Sequence, residues 1–240
     1  MCVLFAAYNL RSDYPLILLA NRDEYFDRPT EGTKNWEDFP EIVAGRDLVG
    51  GGTWLGMTTN GRFAAVTNYR DPNAPVGARS RGGLTADFLK TNEPAAEYLA
   101  KIEDRASEYS GFNLLIGEIN STRNELFYYS NRLRKIQKLE PGVYGLSNHL
   151  LNTPWPKVKK GKRFLKKNLS KAYIKEDYFG LLEDDSLAND ADIPDTGIGY
   201  EREKFLSSIF IKTPIYGTRC STILTVDRDL NMRLEERTHI

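Results

Sequence analysis

The sequence predicts an α+β fold of mainly antiparallel sheets with helices packed on their outer faces. Three observations carry this expectation. β-prone apolar runs return in pairs around short turn clusters at the beginning, middle and end of the chain. Blocks of helical periodicity separate those pairs, and runs of strands divided by helical blocks build antiparallel sheets rather than a parallel βαβ sheet. At 240 residues, the chain is long enough for one substantial core, and a single domain over residues 1–240 is expected. The order fits a four-layered αββα sandwich, although periodicity alone does not separate that from a two-layer α+β domain.

Composition narrows the function classes. Thirty-three Lys and Arg balance thirty-three Asp and Glu, so no global field favours nucleic acid or an anionic membrane. Two cysteines, Cys2 and Cys220, are too few for a disulfide framework and fit a reducing compartment. No charged start precedes an apolar run of secretory type, and no apolar run approaches the length of a membrane span. A cytoplasmic protein without stable membrane insertion is expected, with no nucleic-acid partner; its oligomeric state is not readable from the chain.

Element by element, residues 3–8 and 15–20 are apolar and flank the turn cluster Asn9-Leu10-Arg11-Ser12-Asp13, which predicts a hairpin. With the turn centred at roughly residue 12, pairing is symmetric, and Cys2 is delivered to Asn21-Arg22-Asp23-Glu24. That juxtaposition allows specific chemistry. Removal of Met1 would give Cys2 a free α-amine of pKa roughly 8, close to a thiol at about 8.5, so one residue would hold both nucleophile and base. Arg22 could hold a thiolate or a substrate anion, and Asp23 or Glu24 the ammonium. The ordinary alternative is a small buried Cys at a strand end beside a loop of salt bridges.

Residues 31–41 are polar and broken by Pro40, as in a loop or edge segment. Gly50-Gly51-Gly52 then leads into an alternating run at residues 53–59, and Asn60-Gly61 is a strong hairpin turn before a returning strand at 62–68. The three glycines could form a nest of backbone N–H groups for an anion, or simply a flexible connector. They match neither a Walker A loop nor a dinucleotide fingerprint.

Residues 84–90 and 94–109 have helical spacing, with Tyr98, Leu99 and Ile102 on one face. Strands follow at 112–119, 125–130, 134–139 and 142–147. The last of these runs into Asn148, whose amide could serve as an oxyanion donor or as a turn cap. Residues 157–167 hold seven Lys or Arg and suggest a helix with a solvated basic face. A short helix at 178–182, an acidic mobile loop at 182–199 and a helix at 200–210 precede a final hairpin of strands 216–226 and 232–236. Arg219 stands at the entrance to that hairpin.

Taken together, Met1-Cys2, the tetrad Asn21-Arg22-Asp23-Glu24, the segment Gly51-Gly52-Thr53-Trp54-Leu55-Gly56 and Thr67-Asn68-Tyr69-Arg70 resemble the NRDE family. This is the transport and Golgi organisation protein 2 family. Ser80-Arg81-Gly82, Leu146-Ser147-Asn148 and Thr218-Arg219 extend the resemblance over essentially the whole chain. It implies the αββα sandwich of N-terminal nucleophile hydrolases. Within that superfamily the pattern is similar to the choloylglycine hydrolase and penicillin V acylase branch. The resemblance implies Cys2 as nucleophile, Arg22 and Asp23 as its charged neighbours, Asn68 and Asn148 as the two asparagines and Arg219 as the late arginine. Asn21, Glu24, Gly51, Gly52 and Trp54 become candidate substrate-binding residues. The hydrolases space their Arg and Asp three apart, whereas Arg22 and Asp23 are adjacent, so Glu24 can equally fill the acidic role. No bile-salt or penicillin specificity carries over.

The expected function is therefore a cysteine amidohydrolase acting on a small amide, with no required cofactor and no metal. The family also implies a rival of another class, a haem-trafficking protein that binds haem without hydrolysis. Haem ligation commonly uses His, Cys, Met or Tyr. This chain has only His149 and His239, three Met including Met1, and no Cys-x-x-Cys-His motif.

Overall fold

The computed structural model describes residues 2–240. The chain opens with strands β1 (Cys2–Tyr8), β2 (Leu16–Tyr25), β3 (Thr30–Asn35), β4 (Ile42–Asp47), β5 (Leu55–Thr58) and β6 (Arg62–Asn68). Helices α1 (Gly82–Lys90) and α2 (Ala95–Asp104) follow, then β7 (Phe112–Ile119), β8 (Asn124–Ser130), β9 (Gln137–Lys138) and β10 (Gly142–Leu146). Helices α3 (Pro156–Asn168), α4 (Lys175–Leu182) and α5 (Tyr200–Phe205) lead to β11 (Tyr216–Val226) and β12 (Met232–Thr238).

These strands form two sheets. The first has the order β10-β1-β2-β11-β12 and the second β3-β4-β5-β6-β7-β8-β9. Each strand-to-strand pairing within them is antiparallel. The expected α+β class with mainly antiparallel sheets is thus what the chain adopts.

Side-chain alternation explains why β1 and β2 read as unbroken apolar runs. Leu4, Ala6 and Tyr8 share a cluster with Leu55, Phe63 and Leu115 of the second sheet. Their neighbours Val3, Phe5 and Ala7 turn the other way, onto Leu165 of α3 and Phe179 of α4. The second sheet likewise carries Ala64, Val66 and Leu114 on its far side, packed against Phe88 of α1 and Leu99 of α2. A strand buried on both faces needs apolar residues at every position.

Helix α3 begins with Pro156 after an extended Trp155, an arrangement that suits a helix start because proline's missing N–H would have had no partner there. Its Gly161 lies directly against the Phe5 ring, closer than any Cβ could approach. Gly161→Val is therefore expected to lower stability by about 1–3 kcal/mol through overpacking. Urea unfolding monitored by circular dichroism checks this, and an unchanged midpoint would refute the close approach.

Several segments differ from expectation. The polar stretch at 31–41, expected as a loop or edge segment, is not among them: its first residues belong to β3, the edge strand of the second sheet, where one side faces solvent. Beside it, β4 was hidden because Gly45 interrupts its β-prone pattern; the Trp54 ring closes onto that glycine. The strand expected at 134–139 shortens to β9, and the helix at 200–210 to α5. Among the described residues no helix is long and apolar enough to cross a membrane.

Candidate functional site

The register of the first hairpin places Cys2 opposite Arg22, the symmetric pairing expected from its turn. Arg22 also pairs across to Cys220 on β11, so it stands in the middle of three adjacent strands. Even-numbered positions of β1 face the second sheet, as Leu4 and Ala6 do, which puts Cys2 at the open end of the inter-sheet core. There it lines a cavity of about 420 Å³ together with Arg22, Asp23, Glu24, Trp54 and Asn68. Six of the residues singled out from the sequence therefore meet in one place. Met1 and its α-amine lie outside the described residues.

Burial pushes the Cys2 thiol above its ordinary pKa, and the Asp23 carboxylate pushes the same way. The Arg22 guanidinium and the Asp23 backbone N–H, which donates to the sulfur, act in the opposite sense. The thiol is thus protonated at neutral pH and needs a base to become a nucleophile. Asp23 is also raised by burial, opposed by Lys157 and by the hydroxyl of Thr218, which donates to Asp23 Oδ1 at 2.8 Å.

One wall of the cavity is a fixed charge cluster. Asp47 Oδ2 lies 3.0 Å from Arg22 Nη2 and 2.6 Å from Arg28 Nε. Arg28 adds a second bond from Nη2 to Asp47 Oδ1 at 3.1 Å, a bidentate fork. The Arg22 guanidinium also lies over the Trp54 ring, 4.3 Å from its centroid. Burial alone would raise Asp47, but the bonds from Arg28 and the Gly50 N–H, with the charge of Arg22, hold it below its ordinary value.

The other sequence candidates sit elsewhere. Asn148 is fully buried and outside the cavity lining; its Nδ2 donates to the Asn68 carbonyl at 3.1 Å and so fixes the strand end that carries Asn68. The Asn68 side-chain amide, by contrast, has no hydrogen-bond partner among the described residues. Arg219 Nη1 donates to three carbonyls, those of Tyr25, Phe26 and Arg28, at 3.0, 3.1 and 2.5 Å. It clamps the chain after β2 from outside the cavity. Asn21 faces away from the Cys2 side, donating to the carbonyls of Leu182 and Ile209. Gly51 and Gly52 do not line the cavity. In their loop the N–H groups of Val49 and Gly50 donate to the Asp47 carboxylate and that of Gly51 to the Asp47 carbonyl.

Asp47, Arg28 and Lys157 were not anticipated. Asp47 and Arg28 come together through the fold, though an Asp three residues before a glycine is a turn signature that could have flagged the first. Lys157, expected on a solvated face, is buried at the start of α3, with Nζ donating to the Leu206 carbonyl at 2.8 Å. Desolvation pushes it down to about 8, although Asp23 and Cys2 favour its charged form.

Among the described residues no group of three or more His, Cys, Asp or Glu is placed to hold a metal ion. His149 Nδ1 lies 2.8 Å from Thr153 Oγ1 with its ring against Tyr69, and His239 Nε2 lies 2.9 Å from Ser221 Oγ. Neither lines the Cys2 cavity, where Cys2 is the one residue of a haem-ligating type among the described residues. The donor set therefore does not fit a His-ligated haem.

Comparison with known proteins sets this geometry in context. The human transport and Golgi organization protein 2 homolog is 36% identical over 255 residues, spanning 99% of this chain and 92% of the human protein. The Bos taurus homolog is 35% identical over 259 residues with the same coverage. Among solved structures, a Caenorhabditis elegans N-acylethanolamine-hydrolyzing acid amidase ortholog superposes with a TM-score of 0.52 at 9% identity, covering 98% of this chain and 100% of that one. At that identity the likeness is one of fold alone. The family model for transport and Golgi organisation 2 matches residues 1–240, and the chain belongs to that family.

Proposed function

We propose that the chain is a cysteine amidohydrolase of the N-terminal nucleophile type, with Cys2 as its nucleophile and a small amide as its substrate. The observation that carries this reading is the half-buried Cys2 in one cavity with Arg22, Asp23 and Asn68, whose side-chain amide has no hydrogen-bond partner among the described residues. In the same reading the two sheets and their outer helices are a single four-layered αββα domain, 1–240, akin to the choloylglycine hydrolase and penicillin V acylase branch.

Once Met1 is removed, the α-amine of Cys2 takes the thiol proton as Sγ attacks the amide carbonyl carbon. The Asn68 amide donates to the oxyanion. Collapse breaks the C–N bond, the ammonium returns its proton to the leaving nitrogen, and water hydrolyses the thioester with the amine again as base. Asp23, whose own N–H reaches the sulfur, holds the ammonium; Glu24 is left at the rim, with Oε1 accepting from the Tyr25 N–H at 2.9 Å. Asn148 positions Asn68, and Arg219 positions the segment that carries Arg28.

The test compares processed protein with a form that keeps Met1, each verified by intact mass, on a panel of small N-acyl amides. Turnover is expected from the processed form and a loss of roughly 10²–10⁴-fold when Met1 is kept, the range for removing a general base. Equal rates would reject the mechanism. Absent turnover with saturable, stoichiometric haem binding would move the function to carriage.

A further inference from the structure

We infer that Arg81 is an anion receptor of the Cys2 cavity, so that the substrate carries an anionic group, a carboxylate or a phosphate, beside the bond that Cys2 attacks. The inference rests on the reading of Cys2 as nucleophile and adds the substrate class to it.

The charge inventory of the cavity leads to Arg81. Arg22 and Arg28 share Asp47, so two cations on that wall meet one carboxylate. Arg79, also at the cavity, is paired with Glu108. Arg81 lines the same cavity and forms no ion pair among the described residues. Its Nη1 donates to the Gly111 carbonyl at 3.2 Å. A guanidinium has five N–H donors in a planar fork, and those that remain suit a carboxylate or phosphate.

The backbone around Arg81 is held on both sides. The Arg79 N–H donates to the Glu108 carbonyl at 3.1 Å, and the Gly82 carbonyl accepts from Thr53 N–H at 3.2 Å. A side chain so anchored loses less freedom on binding than one on a mobile loop. Burial lowers Arg81, while Cys2 and Glu24 favour its charged form, which sets the guanidinium in the electrostatic neighbourhood of the thiol. Cys2 and Arg81 thus line one and the same cavity.

Alkylation of Cys2 tests this without any turnover. Iodoacetate and iodoacetamide differ in charge and little in size, and peptide mapping separates Cys2 from the buried Cys220. In the intact protein the iodoacetate-to-iodoacetamide rate ratio is expected to exceed that of free cysteine. Arg81→Gln should lower it about tenfold with the iodoacetamide rate held within about twofold, a Coulomb effect of one nearby cation. Arg81→Lys should keep most of it. Protection of Cys2 from iodoacetamide by acetate or by inorganic phosphate then tells which anion the site prefers. A ratio unchanged in Arg81→Gln, or both rates falling together, would overturn the inference. A normal ratio effect in a protein with no amide turnover would refute the hydrolase reading alone.

Discussion

Cys2→Ala is expected to reduce amide turnover by roughly three to four orders of magnitude, the scale seen when a nucleophile is deleted and only binding and oxyanion contacts remain. The reason is local. Cys2 is the thiol that the hairpin delivers to the cavity, and Cys220, on β11 across Arg22, is buried with its pKa pushed well above the ordinary thiol value by desolvation and by Glu236. Cys220 is too poorly ionised and too enclosed to substitute. Stability should change little, because Cys2 is half-buried at a strand end and Ala leaves the β1–β2 pairing intact. Initial rates on the amide panel, with melting curves of both proteins, measure the two effects side by side. Turnover that survives the substitution at wild-type level would remove Cys2 from the chemistry.

The first hairpin was legible because a symmetric turn fixes register, and register fixes which residue meets which. The turn cluster alone therefore sets Cys2 against Arg22, the pairing the hairpin adopts. Arg219 was not legible in the same way. The register of β11 against β2 shifts between Thr218 and Cys220, and the extra residue at this bulge is Arg219, turned onto the carbonyls after β2. A bulge leaves no trace in apolar periodicity. Asn148 shows a related limit. A motif can name an asparagine at a strand end, yet its place outside the cavity depends on the 3.1 Å bond it makes to the Asn68 carbonyl on the other sheet. Lys157 departs from the solvated basic face that its six basic neighbours suggest, because its place in the first turn of α3 turns it inward. Contacts between distant segments decide such side chains, and sequence patterning does not encode them directly.

Asp47 is the clearest case of such a contact, and it carries the largest expected effect on stability. Its carboxylate accepts from Arg22, from both arms of Arg28 and from the N–H groups of Val49 and Gly50. Asp47→Ala would leave Arg22, whose side chain is 5% exposed, without its counter-charge beside Trp54. Breaking one partner of a buried ion pair costs about 3–5 kcal/mol. Arg28 is a third exposed and solvent screens its share, so about 2–4 kcal/mol is expected for the whole substitution. The pH dependence follows from the lowered pKa of Asp47. A carboxylate held lower in the folded state stabilises fully above its unfolded value, about 3.9, and loses that contribution as pH falls through its folded value. Wild-type stability should therefore drop on acidification below about pH 4, and the Asp47→Ala protein should show a shallower slope there. Urea unfolding at neutral pH and at a series of acidic values measures both. If the variant matched wild type at neutral pH, the arginines would be solvated independently of Asp47 and the fixed wall of the Cys2 cavity would have to be abandoned.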